Sequence, residues 1–274
     1  MNRPSNMLPT TPNMGGGSHR VTDAEGSDAF LKLMNNKESW MRPWTTSGLE
    51  GNVGINELRR ICEYFAKFVP ETVQRLVAAN PESPDLSMRE RDVSVLFIDI
   101  SGYSSLSERM SPDALNTLVE WYFSAFLDCL YESGGEINEI AGDGLMAIFQ
   151  DVQPQQHALS ATTAALAILA ATEALNKKNH AHPLAVHMGL NSGAALVGLT
   201  RLKGHYGTRW TFTARGPMTN LAARLAEAAR PGRILVGPET VCRLGQHYLF
   251  QRLGCEHFKN IAEPIAIYRL LGPS

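Results

Sequence analysis

Residues 93–149 decide the reading. They begin VSVLFIDISGYSSL (93–106), pass through a long amphipathic stretch, and end GGEINEIAGDGLMAIF (134–149). Val93 to Asp99 alternates and is rich in β-branched residues, which predicts a strand. Gly102 turns the chain. Ser111-Pro112-Asp113 opens a helix, with serine as the cap and proline in the first turn. Leu115, Leu118, Val119, Tyr122, Phe123 and Phe126 give that helix a wide apolar face, and Trp121 and Tyr122 read as core. Gly134-Gly135 ends it. Glu136 to Ile140 and Leu145 to Phe149 read as a hairpin, with Asp143 in the glycine-containing turn 141–144. Asp99 and Asp143 therefore each stand where an apolar strand reaches a bend. A carboxylate at a strand end is easily hydrated and can point into a cleft. Two of them, brought together by strand pairing, make an all-oxygen site suited to Mg²⁺ or Mn²⁺ beside a phosphate.

Upstream, residues 1–53 are rich in Gly, Ser, Pro, Asn and Met, which predicts a mostly disordered tail with a short helix near Asp28 to Met34. Residues 54–85 read as helical. Ile55, Leu58, Ile61, Cys62 and Phe65 keep helical spacing, Pro70 restarts the helix, and Pro81 and Pro84 end it. Two readings stay open for this segment: a helix packed on the domain that follows, or a dimerising helix feeding it. Residues 86–274 form the main domain. Ala158 to Leu175 is alanine-rich but carries Thr162, Thr163, Thr172 and Glu173, so it reads as a core helix rather than a membrane span. Val186 to Asn191 and Ala194 to Gly198 read as two strands broken at Ser192-Gly193. Arg201 to Arg209 reads as a protruding loop, and Arg209 to Thr213 as a strand. A helix over Met218 to Ala229, a strand at Ile234 to Val236, a helix at Pro238 to Leu244 and a terminal strand pair follow. From Val93 the order is strand, helix, strand, strand, helix, strand. This is an α+β fold with a ferredoxin-like βαββαβ core and additional strands and helices.

The totals exclude several classes of function. Hydrophobic residues make up 44% of the 274, enough for a substantial core, and the net charge of −2 gives no bulk attraction to nucleic acid or to a membrane. An RNA-binding sheet needs stacking aromatics in its central strands and basic flanks; here the strands are aliphatic and their ends acidic. Cys62, Cys129, Cys242 and Cys255 form no C-x-x-C pair, which argues against zinc. Scattered thiols and a start, MNRPSNMLPTTPNMGGG, without an apolar signal core predict a reduced, cytoplasmic protein. His187 and His257 read as ordinary strand residues, and Lys203 and Arg209 as loop charges.

FIDISGYSSLSE around Asp99, EIAGDGLMAIF around Asp143 and RWTFTARGPMTNLAARL at 209–225 together resemble the class III nucleotidyl cyclases, the adenylate and guanylate cyclases that share one catalytic domain. The resemblance runs from about Arg91 to Leu270. It implies that Asp99 and Asp143, with the backbone carbonyl of Ile100, hold two divalent cations. It implies that Asn220 orients the ribose of a nucleoside triphosphate and that Arg224 stabilises charge on the α-phosphate. These two are four apart on a predicted helix and share a face. Lys259 is similar to the family's triphosphate lysine, although Asn260 stands where the family usually has glycine. Gly216-Pro217 also departs from the usual Gly-Asp or Gly-Asn, and proline suits the first turn of a helix. The family's carboxylates and its Asn/Arg pair come from opposite subunits, so the resemblance implies a homodimer.

The base readers are mixed. Adenylate cyclases of this type usually carry lysine where this chain has Glu139, and guanylate cyclases resemble it there. Thr213 is similar to the threonine of many bacterial adenylate cyclases. A carboxylate accepts from guanine N1–H and the 2-amino group and repels adenine N1. GTP is therefore modestly favoured over ATP, a pyrimidine triphosphate stays open, and so does a domain that holds nucleotide without turning it over.

Overall fold

The computed structural model describes residues 55–274; the expected tail and its short helix lie outside them. Helices α1 (Ile55–Ala66) and α2 (Glu71–Ala79) precede β1 (Arg89–Ile100). The chain divides into two contact units between Cys62 and Glu63, within α1, and residues 63–274 form one unit. No residue of α1 is buried. In α2, Val73 is buried, and the Thr72 N–H donates to Glu136 Oε1 at 2.6 Å.

The remaining elements are α3 (Tyr103–Ser107), α4 (Pro112–Glu132), β2 (Gly135–Ala141), β3 (Gly144–Gln150), α5 (Pro154–Lys178), β4 (Val186–Lys203), β5 (Thr208–Arg215), α6 (Pro217–Ala228), β6 (Ile234–Val236), α7 (Pro238–Leu244), β7 (Tyr248–Glu256) and β8 (Ile265–Pro273). They build one eight-stranded sheet in the order β2-β3-β1-β4-β6-β8-β7, with β5 paired to β4. Its first four strands, with α4 and α5, are the ferredoxin-like core. Only the β4–β6 pairing is parallel.

The run Val93 to Ile98, apolar but for the buried Ser94, has no solvent-facing side because β1 is covered on both sides. Leu96, Ile98 and Ile100 join the core beneath α4 and α5. Val93, Val95 and Phe97 pack on the other side with Met218 and Ala222 of α6 and Phe212 of β5. Successive side chains alternate between faces, so Asp99 continues the α6 side. Gly189 on β4 permits that packing: a Cβ there would lie 2.2 Å from the Ala222 carbonyl oxygen and from the Ala226 nitrogen. Asn191 fastens the start of α6 by donating from Nδ2 to the Met218 carbonyl at 3.1 Å.

Three expectations are corrected. Residues 186–203 form one strand rather than two, because Gly193 takes a φ of 141° and carries the chain through without a turn. Much of the expected 201–209 loop belongs to the β4–β5 hairpin, whose register runs out to Lys203 opposite Thr208. Tyr122 is fully buried and bonds Asn176 at 2.6 Å, but Trp121, the next residue round the helix, is 40% exposed.

The Ser111 hydroxyl accepts from the Ala114 N–H at 3.3 Å, as a helix cap does. Helix α5 is long and apolar enough to cross a bilayer, but Ala158, Ala161, Ala164, Ala165 and Ile168 are buried in the core. At its first turn a buried polar network joins four elements. His157 Nδ1 bonds Ser94 Oγ at 2.9 Å, Ser94 bonds Ser192 at 2.6 Å, and Ser192 bonds Thr240 at 2.8 Å. Arg243 closes over it, donating to both carboxylate oxygens of Asp92 at 2.9 and 3.0 Å.

Candidate active site

The end of β1 is held between two strands. Asp99 lies opposite Gly144 on β3 and opposite His187 on β4. The Ile100 N–H donates to the Asp143 carbonyl at 3.2 Å, which ties the 142–143 turn to the strand end. Gly142 takes φ 62°, a left-handed conformation that suits the first central position of a two-residue hairpin turn. Strand pairing thus brings the Asp143 turn beside the Asp99 carboxyl, near enough for each charge to act on the other. Burial, and next the negative charge of Asp143, push the Asp99 carboxyl above the usual carboxylate range; His187 and the Ile100 N–H oppose that rise. A divalent cation would relieve both causes at once.

The donor set fits such an ion. Among the described residues no group of three His, Cys, Asp or Glu side chains forms a metal cage. Two carboxylates leave the other coordination positions to a backbone carbonyl, water and phosphate oxygens, as Mg²⁺ commonly binds. His187, which the sequence suggested was an ordinary strand residue, stands beside Asp99: its Nε2 lies 3.4 Å from Asp99 Oδ2.

A second cluster forms around α6. Pro217 occupies the first turn as expected, and the Asn220 N–H bonds the Gly216 carbonyl at 3.1 Å. Asn220 and Arg224 line one cleft of about 610 Å³ together with Lys259. The Arg224 guanidinium is paired with Glu227 at 2.6 Å, a partner the sequence gave no reason to single out. Asn260 explains the departure from glycine after Lys259. Its φ is 65°, the only positive value among described non-glycine residues, and asparagine tolerates that region best after glycine.

Glu139 stands exposed on β2, just past a register shift between Ile137 and Glu139. It borders a different groove, of about 860 Å³, with Phe68, Val119 and Phe123. Thr213 is half-buried in β5, which meets β2. The fold thus gathers Asp99 with Asp143 in one place, and Asn220 with Arg224 and Lys259 in another. Neither aspartate lines the cleft of the second set.

Residues 87–272 match the adenylate and guanylate cyclase catalytic domain, and the chain belongs to that family. It carries a class III cyclase domain. It is 26% identical over 227 residues to Adenylate cyclase 1 of Rhizobium meliloti (strain 1021), an alignment covering 81% of this chain and 34% of that protein. The chain thus spans about a third of the length of that curated relative. The structure of the adenylyl cyclase CyaB from P. aeruginosa superposes with a TM-score of 0.63 at 26% identity, covering 68% of this chain and 96% of the other. The guanylyl cyclase Cya2 shares the fold, with a TM-score of 0.61 at 22% identity over 69% of this chain and 95% of its own.

Proposed function

We propose that this chain converts a purine nucleoside triphosphate, GTP modestly favoured over ATP, into its 3′,5′-cyclic monophosphate and pyrophosphate, at sites shared between the two copies of a homodimer. The observation that carries the reading is the placing of Asp99 beside the Asp143 turn at one sheet end while Asn220, Arg224 and Lys259 line a separate cleft. A twofold axis would set the carboxylates of one copy against the cleft of the other and repeat the site.

When bound at Asp99 and Asp143, two divalent cations, Mg²⁺ or Mn²⁺, supply activation of the ribose 3′-hydroxyl and neutralisation of phosphate charge. The two carboxylates and the Ile100 carbonyl fix where that charge sits. Asn220 orients the ribose so that its 3′-oxygen lies in line with the α-phosphorus. Arg224 leaves Glu227 and donates to the α-phosphate oxygens as negative charge grows there. Lys259 holds the triphosphate. The 3′-oxygen bonds the α-phosphorus, the bond to the bridging oxygen breaks, pyrophosphate departs and the hydroxyl proton passes to water. Glu139 accepts from guanine N1–H and the 2-amino group, while Thr213 donates to O6. Cys62, Cys242 and Cys255 are exposed and all four thiols are free, which suits a reducing cytoplasm.

The test is turnover of the full chain with Mn²⁺ and ATP, GTP, CTP or UTP in parallel. The expected result is cyclic GMP ahead of cyclic AMP, with preference moving toward ATP in Glu139→Lys. Nucleotide binding without any cyclic product would show a binding domain instead. A selectivity unchanged by Glu139→Lys would remove that residue from base reading.

A further inference from the structure

We propose that His187 is a positioning residue that holds the Asp99 carboxylate in the orientation needed to bind a divalent cation; this rests on Asp99 being a metal ligand. The two residues are direct cross-strand partners on the antiparallel β1–β4 pair, which keeps their Cβ atoms about 5 Å apart. His187 Nε2 lies 3.4 Å from Asp99 Oδ2. The other ring nitrogen, Nδ1, is 2.9 Å from the Ser101 hydroxyl. Ser101 is itself fixed, because its N–H donates to the Ala185 carbonyl at 2.8 Å.

These contacts set the direction of the ring. With the Ser101 hydroxyl donating to Nδ1, the ring proton lies on Nε2, the nitrogen 3.4 Å from Asp99 Oδ2. The chain Ser101–His187–Asp99 therefore runs from the residue just past the end of β1, through β4, and back onto β1. The His187 side chain is 15% exposed and the Asp99 side chain 39%. The ring is the anchored member and the carboxylate the one with room to turn. A free carboxylate would spend part of its time away from Asp143. One oxygen kept beside Nε2 leaves the other free to face Asp143 and a shared ion. Such outer partners typically change metal affinity by about 10–100-fold.

The experiment measures Mn²⁺ binding to the full chain directly, from the electron paramagnetic resonance signal of the free ion, alongside kcat and KM at stepped Mn²⁺ concentrations. His187→Ala is expected to weaken Mn²⁺ binding by about 10–100-fold and to recover kcat at saturating Mn²⁺. His187→Gln, whose side-chain amide can still donate to Asp99, is expected to keep most of the affinity. Unchanged Mn²⁺ affinity in a folded His187→Ala chain overturns the proposal. So does a raised KM for the nucleotide with Mn²⁺ binding intact, which would place His187 against substrate. If His187→Ala does not fold, Ser101→Ala frees the ring and is expected to weaken Mn²⁺ binding in the same direction; unaltered binding there is equally decisive against it. Asp99→Ala separates the two levels: if it binds Mn²⁺ like the unaltered chain, the metal role of Asp99 fails first.

Discussion

Gly189 of β4 lies so close to Ala222 of α6 that a single added Cβ would come within 2.2 Å of the Ala222 carbonyl oxygen. Backbone rather than a flexible side chain fills the space, so the clash cannot be relieved by a rotamer change. The contact joins the strand that carries His187 to the helix that carries Asn220 and Arg224.

Gly189→Ala is therefore expected to lift α6 from the sheet and to destabilise the chain by about 1–3 kcal/mol, the usual range for overpacking. Thermal unfolding measures the loss. Because Asn220 and Arg224 ride on α6, turnover at a temperature where the variant is folded should fall as well. An unaltered melting temperature would mean that the helix sits further from β4 than described.

The separation of the two residue sets makes a prediction about mixtures. Asp99→Ala and Arg224→Ala chains should each be inactive alone. Mixed in equal amounts, half of the dimers are hybrids, and each hybrid keeps one complete site of two, so activity should return to roughly a quarter of the unaltered level. Absence of any recovery, in a mixture shown to exchange subunits, would place each complete site within one chain.

Asp99 ties stability to pH and to metal. Burial, then the Asp143 charge, raise its carboxyl above the ordinary value of 3.8 in the folded chain. Between that value and the raised folded one, the folded state binds more protons than the unfolded state, so this group's contribution to stability falls as pH rises through the window. At neutral pH the ionised pair is a cost that a cation offsets. Asp99→Asn should then melt higher than the unaltered chain without metal, and should lose most of the rise that Mn²⁺ produces. Differential scanning fluorimetry with and without Mn²⁺ checks both statements.

His157 acts in the opposite sense. Burial, the main cause, with help from the Arg243 charge, holds the imidazole below its ordinary 6.5, against the pull of Asp92. The unfolded chain takes up a proton there first as pH falls. The stability that neutral His157 supports is present above about pH 6.5 and is lost as pH drops toward the lowered folded value. His157→Gln should flatten this part of the melting-temperature profile between about pH 7 and pH 5. An unchanged slope would assign the acid sensitivity elsewhere.

Asn260 supplies a test of the Lys259 loop. Glycine adopts φ near 65° freely, so Asn260→Gly should leave KM for the triphosphate near its original value. A β-branched residue resists that region, and Asn260→Val should strain the loop by about 1–3 kcal/mol or shift Lys259. The expected readout is a raised KM with a smaller change in kcat. Equal kinetics for the glycine and valine variants would detach Lys259 from substrate binding.

Most of the central core could be read from the residues alone. β-branching marked β1, the glycine turn marked the β2–β3 hairpin, and Ser111-Pro112 marked the start of α4, because each signal is local and acts through the backbone of a few neighbours. The same locality identified Asp99 and Asp143 at strand ends and spaced Asn220 and Arg224 on one helical face. It failed at Ser192-Gly193, where a glycine that looks like a turn is held extended by pairing with β1, and at Trp121, whose exposure depends on which face of α4 meets the sheet.

The sequence by itself determined the order of elements and the chemistry available: two acids, an Asn/Arg pair, a lysine, and a further carboxylate, Glu139. Only the tertiary structure decided who meets whom. It put Asp99 beside Asp143 and His187, since those partners lie 44 and 88 positions away and are brought near only by strand register. It also gave Arg224 its resting partner Glu227 and turned Asn260 into a stand-in for glycine. Those facts depend on side-chain distance and backbone dihedral, which chain order does not encode until long-range packing has fixed them.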